Sequence, residues 1–70
     1  MEITYNVTGE KRKALVKAVS SFTGDPVAYQ NAPTFAFAIG SYTVDKNGIL
    51  IGPANDQLLQ ALAARNFLAE

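Results

Sequence analysis

The chain has 70 residues, 49% hydrophobic and 17% charged, with no cysteine and no histidine. That length allows one small domain, which buries only about 60% of the surface its unfolded form exposes. A disulfide framework, a thiolate metal site and histidine-based acid–base chemistry are excluded, and six basic against six acidic residues give no global pull toward nucleic acid or anionic membrane.

Ile3, Tyr5 and Val7 alternate with Glu2, Thr4 and Asn6, the period-two pattern of a strand with one buried face. Thr8 stands where a helix N-cap belongs, and Glu10 suits the positive end of the helix that follows. From Gly9 to about Thr23 the apolar positions Ala14, Leu15, Ala18, Val19 and Phe22 fall on one helical face, with Lys13 and Lys17 opposite and Val16 at the margin. Gly24 supplies a left-handed terminus, and Asp25-Pro26 prevents continuation.

Val27-Ala28-Tyr29-Gln30, bounded by Pro26 and Pro33, reads as a short edge-like strand. Asn31-Ala32-Pro33 turns the chain into a meander of three apolar runs between Thr34 and Gly52. Gly40-Ser41 fits a type II′ turn, which wants glycine first. Pairing Ile39 with Tyr42 then sets Phe37 opposite Val44, so Phe35, Phe37, Ile39, Tyr42 and Val44 form the expected inner face.

The second turn has two readings. A two-residue turn at Asn47-Gly48 pairs Val44 with Ile51 and points Leu50 outward. A type I turn over Asp45-Lys46-Asn47-Gly48 with a glycine bulge pairs Val44 with Leu50 and points Ile49 and Ile51 away from the core. Asp at the first position and Gly at the fourth favour the bulged register. Past Gly52-Pro53, Asn55 or a neighbour caps a second helix with Asp56 in its first turn and Leu58, Leu59, Leu62 and Ala63 on its apolar face. Asn66 suits the left-handed position after the helix, with Phe67 folding back on Leu62.

The expected fold is α+β: a two-layer domain over residues 1–70, with a four- or five-stranded, mainly antiparallel sheet and two helices on one face, in the order β-α-β-β-β-β-α. Were the first and second strands parallel neighbours, their helical crossover would be right-handed. The abrupt end after the second helix leads to the expectation of an N-terminal domain of a longer protein.

Nothing in the sequence converges on catalysis. Each carboxylate stands at a strand start, helix start, turn or terminus, and no spacing suggests a pair able to shift a pKa. The serines have no histidine partner, and the glycines are scattered punctuation. Asp45-Lys46-Asn47-Gly48 has the start of a calcium loop without its later ligands. No catalytic residue, cofactor or metal site is therefore expected.

Two interaction surfaces are candidates. With the inner face settled, the back of the sheet shows Ala36, Ala38, Thr43, Ile49 and Ile51, an apolar choice for a face left in water. Such a face fits a homodimer or contact with other domains of the parent protein. Separately, Lys11, Arg12, Lys13 and Lys17 hold four of the six positive charges on the first helix, a patch for nucleic acid. It lacks interleaved aromatics, so the interaction domain is preferred over a nucleic-acid-binding module.

Ile3-Thr4-Tyr5-Asn6-Val7-Thr8-Gly9, Lys11-Arg12-Lys13, Pro33-Thr34-Phe35-Ala36 and Tyr42-Thr43-Val44-Asp45-Lys46-Asn47-Gly48 together resemble the N-terminal segment of uncharacterised proteins of gut Firmicutes and their mobile elements, labelled "virulence-related protein". The resemblance spans nearly the whole chain. It implies a natural protein that continues past Glu70, and it carries no activity onto any residue. Met1-Glu2-Ile3-Thr4 has no secretory character, and no apolar run approaches the roughly 20 residues of a membrane span. The expected location is cytoplasmic, with no membrane partner.

Overall fold

The computed structural model describes residues 1–31 and 34–70. The chain forms β1 (Glu2–Thr4), α1 (Gly9–Thr23), β2 (Val27–Tyr29), β3 (Phe37–Ile39), β4 (Tyr42–Val44), β5 (Ile49–Ile51) and α2 (Asp56–Ala64). The five strands make one open sheet in the order β1-β5-β4-β3-β2, every neighbouring pair antiparallel. With both helices on one face the architecture is α+β. The first two strands are therefore not neighbours. They occupy opposite edges of the sheet, and α1 spans the distance between them.

The turn chemistry sets the register. Gly40 has φ +58 and Ser41 is not among the positive-φ residues, the pattern of a II′ rather than a I′ turn. Ile39 pairs with Tyr42 and Phe37 with Val44. At the next turn the bulged form is present. The Gly48 amide donates to the Asp45 carbonyl at 3.1 Å, Gly48 has φ +79, and Val44 pairs with Leu50. The Asp45 side chain fixes this turn by accepting from the amides of Asn47 and Ile49, each at 2.9 Å.

Leu50, Val44 and Ile39 are fully buried and meet Leu15 and Val19 of α1 and Leu58 and Leu62 of α2 in one core. The ends of α2 follow from its sequence. Asn55 Oδ1 accepts from the Leu58 amide at 3.1 Å. Asn66 has φ +69, its amide donates to Ala63 and that of Phe67 to Leu62, which is the Schellman pattern. Phe67 packs against the core.

Several local expectations fail. The first strand ends at Thr4 because Asn6 turns into the left-handed region at φ +51, although the Tyr5 amide still donates to Gly48 at 3.0 Å. Thr8 occupies the N-cap position but its hydroxyl makes no capping bond. The buried stripe of α1 is rotated. Val16 is buried and Arg12 half-buried, whereas Ala14 and Phe22 are exposed. On α2, Ala63 is exposed. Phe35 is not core. It precedes β3, has φ +53 and is 44% exposed. Of the expected turn at Asn31-Ala32-Pro33, Ala32 and Pro33 lie outside the described residues.

Candidate functional site

The strand registers assign the outer face of the sheet residue by residue. Glu2, Ile51, Thr43, Ala38 and Ala28 form one cross-strand row through all five strands, and Thr4 lies beside Ile49 in the next. The core helices are on the other side. Ile51 is 40% exposed, and Ala38, Thr43 and Ile49 are half-buried by their neighbours. Among the described residues no helix covers this row. The structure thus brings together Ala38, Thr43, Ile49 and Ile51 of the expected interface and adds Ala28. Ala36 drops out. It lies before β3 and is fully buried, so its side chain has no surface to offer.

The four basic residues of α1 are not brought onto one surface. Arg12 turns inward. Its Nε donates to the Asp45 carbonyl at 2.8 Å, Nη2 donates to the Phe35 carbonyl, and its guanidinium carbon lies 4.7 Å from the centroid of the Phe37 ring. One guanidinium thereby joins the start of α1 to two loops of the sheet. Two of its five N–H donors, including Nε, are held by carbonyl oxygens, so the full planar fork is not presented to a phosphate. Lys11 and Lys13 are separated by about 200° of helical rotation and face different clefts. Lys11 borders one of about 470 Å3 with Tyr5, Arg65 and Phe67. Lys13 and Lys17 border a groove of about 240 Å3 with Val16, Val27 and Phe37.

That groove was not anticipated from the sequence. It exists because the sheet is wider than the helix layer above it. β2 extends beyond α1, leaving Val27 40% and Tyr29 49% exposed on the helix side. Tyr29 is held by the Phe37 ring, their centroids 4.9 Å apart. The signal available in the sequence was the same parity of Val27 and Tyr29 in a strand bracketed by prolines.

Among the described residues no group of three or more His, Cys, Asp or Glu is placed to hold a metal ion, and no helix is long and apolar enough to cross a membrane. Tyr5 is 5% exposed, and burial pushes its phenol above the ordinary value of 10.0. No family model, curated protein or solved structure matches the chain.

Proposed function

We propose that this domain is a non-catalytic interaction module that self-associates by packing the outer face of its sheet against that of a second copy. The observation that carries the reading is the row Ile51-Thr43-Ala38-Ala28, which crosses four strands without a charge. Small and β-branched side chains leave room for two sheets to approach face to face at about 10 Å. A sheet packed on one side normally alternates polar residues onto the other. The row departs from that rule at its centre, while Glu2 ends it at the β1 edge. The same face equally fits another domain of a longer parent protein, and the resemblance to the virulence-related proteins is in keeping with such a parent.

Light scattering and sedimentation over a range of concentrations test the reading. A dimer is expected, and Thr43→Lys is expected to convert it to monomer with the fold intact, because Thr43 is only half-buried. A wild-type chain that stays monomeric at every concentration would refute it.

A further inference from the structure

We infer that the free edge of β2 and the groove beside it receive an extended peptide strand that turns acidic side chains toward α1. The inference rests on the domain being an interaction module, but it uses a different surface from the sheet face.

The backbone supplies the first part. The Gln30 amide donates to the Ala36 carbonyl at 2.7 Å, and Ala28 pairs with Ala38. Antiparallel ladders alternate, so Ala28 and Gln30 direct their amides and carbonyls at β3, while Val27 and Tyr29 direct theirs outward. At the opposite edge of the sheet, the Glu70 amide donates to the Thr4 carbonyl at 2.8 Å. Among the described residues no such loop bond reaches Val27 or Tyr29. These are the groups that an added strand pairs with.

The side chains supply the second part. A strand added about 4.8 Å from β2 continues the helix-side surface of Val27 and Tyr29. Its inward side chains then lie beside the groove whose lining includes Lys13 and Lys17 and no carboxylate. The two lysines are one helical turn apart and both exposed. Carboxylates on the incoming strand complement them.

Charge also argues against a second copy at this edge. A two-fold pairing centred on Ala28 sets Val27 opposite Tyr29 of the other copy and draws two pairs of lysines toward the axis. Asp25, the acid nearest to β2 in sequence, does not compensate, because its carboxylate packs against Gly40 at the β3–β4 turn. Pro26 and the three-residue length of β2 keep the ladder short. Recognition therefore depends on the charged face as well as on main-chain bonds.

The probe is a synthetic peptide of alternating glutamate and valine, about eight residues long, with a lysine–valine peptide as control. Amide shifts and exchange are followed residue by residue on the isotope-labelled chain. The acidic peptide is expected to move the Val27 and Tyr29 amides and slow their exchange roughly tenfold or more, with binding that weakens as salt is raised. The lysine peptide should do neither. Lys13→Glu combined with Lys17→Glu should lose the acidic peptide and take the lysine one. Thr43→Lys should leave peptide binding unchanged, which separates failure here from failure of the sheet-face reading. Unmoved Val27 and Tyr29 amides at saturating peptide overturn the inference, as do equal binding of both peptides or shifts confined to the outer face. Concentration-dependent protection of β2 without peptide also overturns it, since a second copy then occupies the edge.

Discussion

Arg12 Nε donates to the main-chain carbonyl of Asp45 across 2.8 Å, so a helix residue closes onto the turn between β4 and β5, 33 positions away. The same side chain holds the Phe35 carbonyl and lies over Phe37. Arg12→Ala should destabilise the domain by about 2–3 kcal/mol, the range for charge-assisted bonds with an added aromatic contact. Arg12→Lys should recover only part of this, because one ammonium does not reproduce the planar fork. Lys13→Ala, at an exposed position, should stay within about 0.5 kcal/mol. Urea denaturation of the three variants checks the order.

Gly48 is needed for two separate reasons. Its φ is +79, and a β-carbon there would lie 2.6 Å from both the amide nitrogen and the carbonyl oxygen of Val7. Gly24 has almost the same φ, +78, but open space around it. Gly24→Ala should therefore cost about 1 kcal/mol from backbone strain alone. Gly48→Ala should cost about 3 kcal/mol or more, because backbone must move to admit the methyl group. Equal losses for the two would show that Val7 does not pack on Gly48.

The bulged register makes its own prediction. Leu50 is fully buried and Ile51 is 40% exposed. Leu50→Ala should cost about 2–5 kcal/mol, whereas Ile51→Thr should cost less than about 1 kcal/mol. The alternative two-residue turn reverses this ranking, so thermal or urea unfolding of the pair decides between them.

Tyr5 links stability to alkaline pH. Burial raises its pKa in the folded state, so above the unfolded value the folded chain holds more protons than the unfolded one. Stability then falls as pH rises, from near 10.0 through the higher folded value. Tyr5→Phe should flatten that part of the pH–stability curve relative to wild type. Parallel curves for the two proteins would dismiss the effect.

The meander was legible because each turn had residues that only one geometry uses well. Gly40-Ser41 and the Asp45–Gly48 run determine which side chains are opposite one another, and the face assignments follow by parity. The first helix was harder. Periodicity alone favours an apolar stripe through Ala14 and Phe22, yet the helix turns Val16 and Arg12 inward. The guanidinium finds carbonyl partners there that become adjacent only in the finished fold. Phe35 misled for a related reason. Its alternation with Phe37 continues a strand pattern, but the left-handed backbone at Phe35 takes it out of the ladder. The groove was invisible because it depends on the width of the sheet relative to α1, a quantity with no local signature.

The placement of β1 has a kinetic consequence. Strands β2 to β5 join through successive hairpins, whereas Ile3 must find Leu50 at the far side of the meander with α1 between them in the chain. Closing that long loop carries the largest entropic cost in the sheet. The hairpins are thus expected to form in the transition state, with φ-values for substitutions at Ile39 and Val44 well above those at Ile3. Late docking of β1 would leave the β5 edge, with Ile49 and Ile51 alongside it, open to other chains during folding.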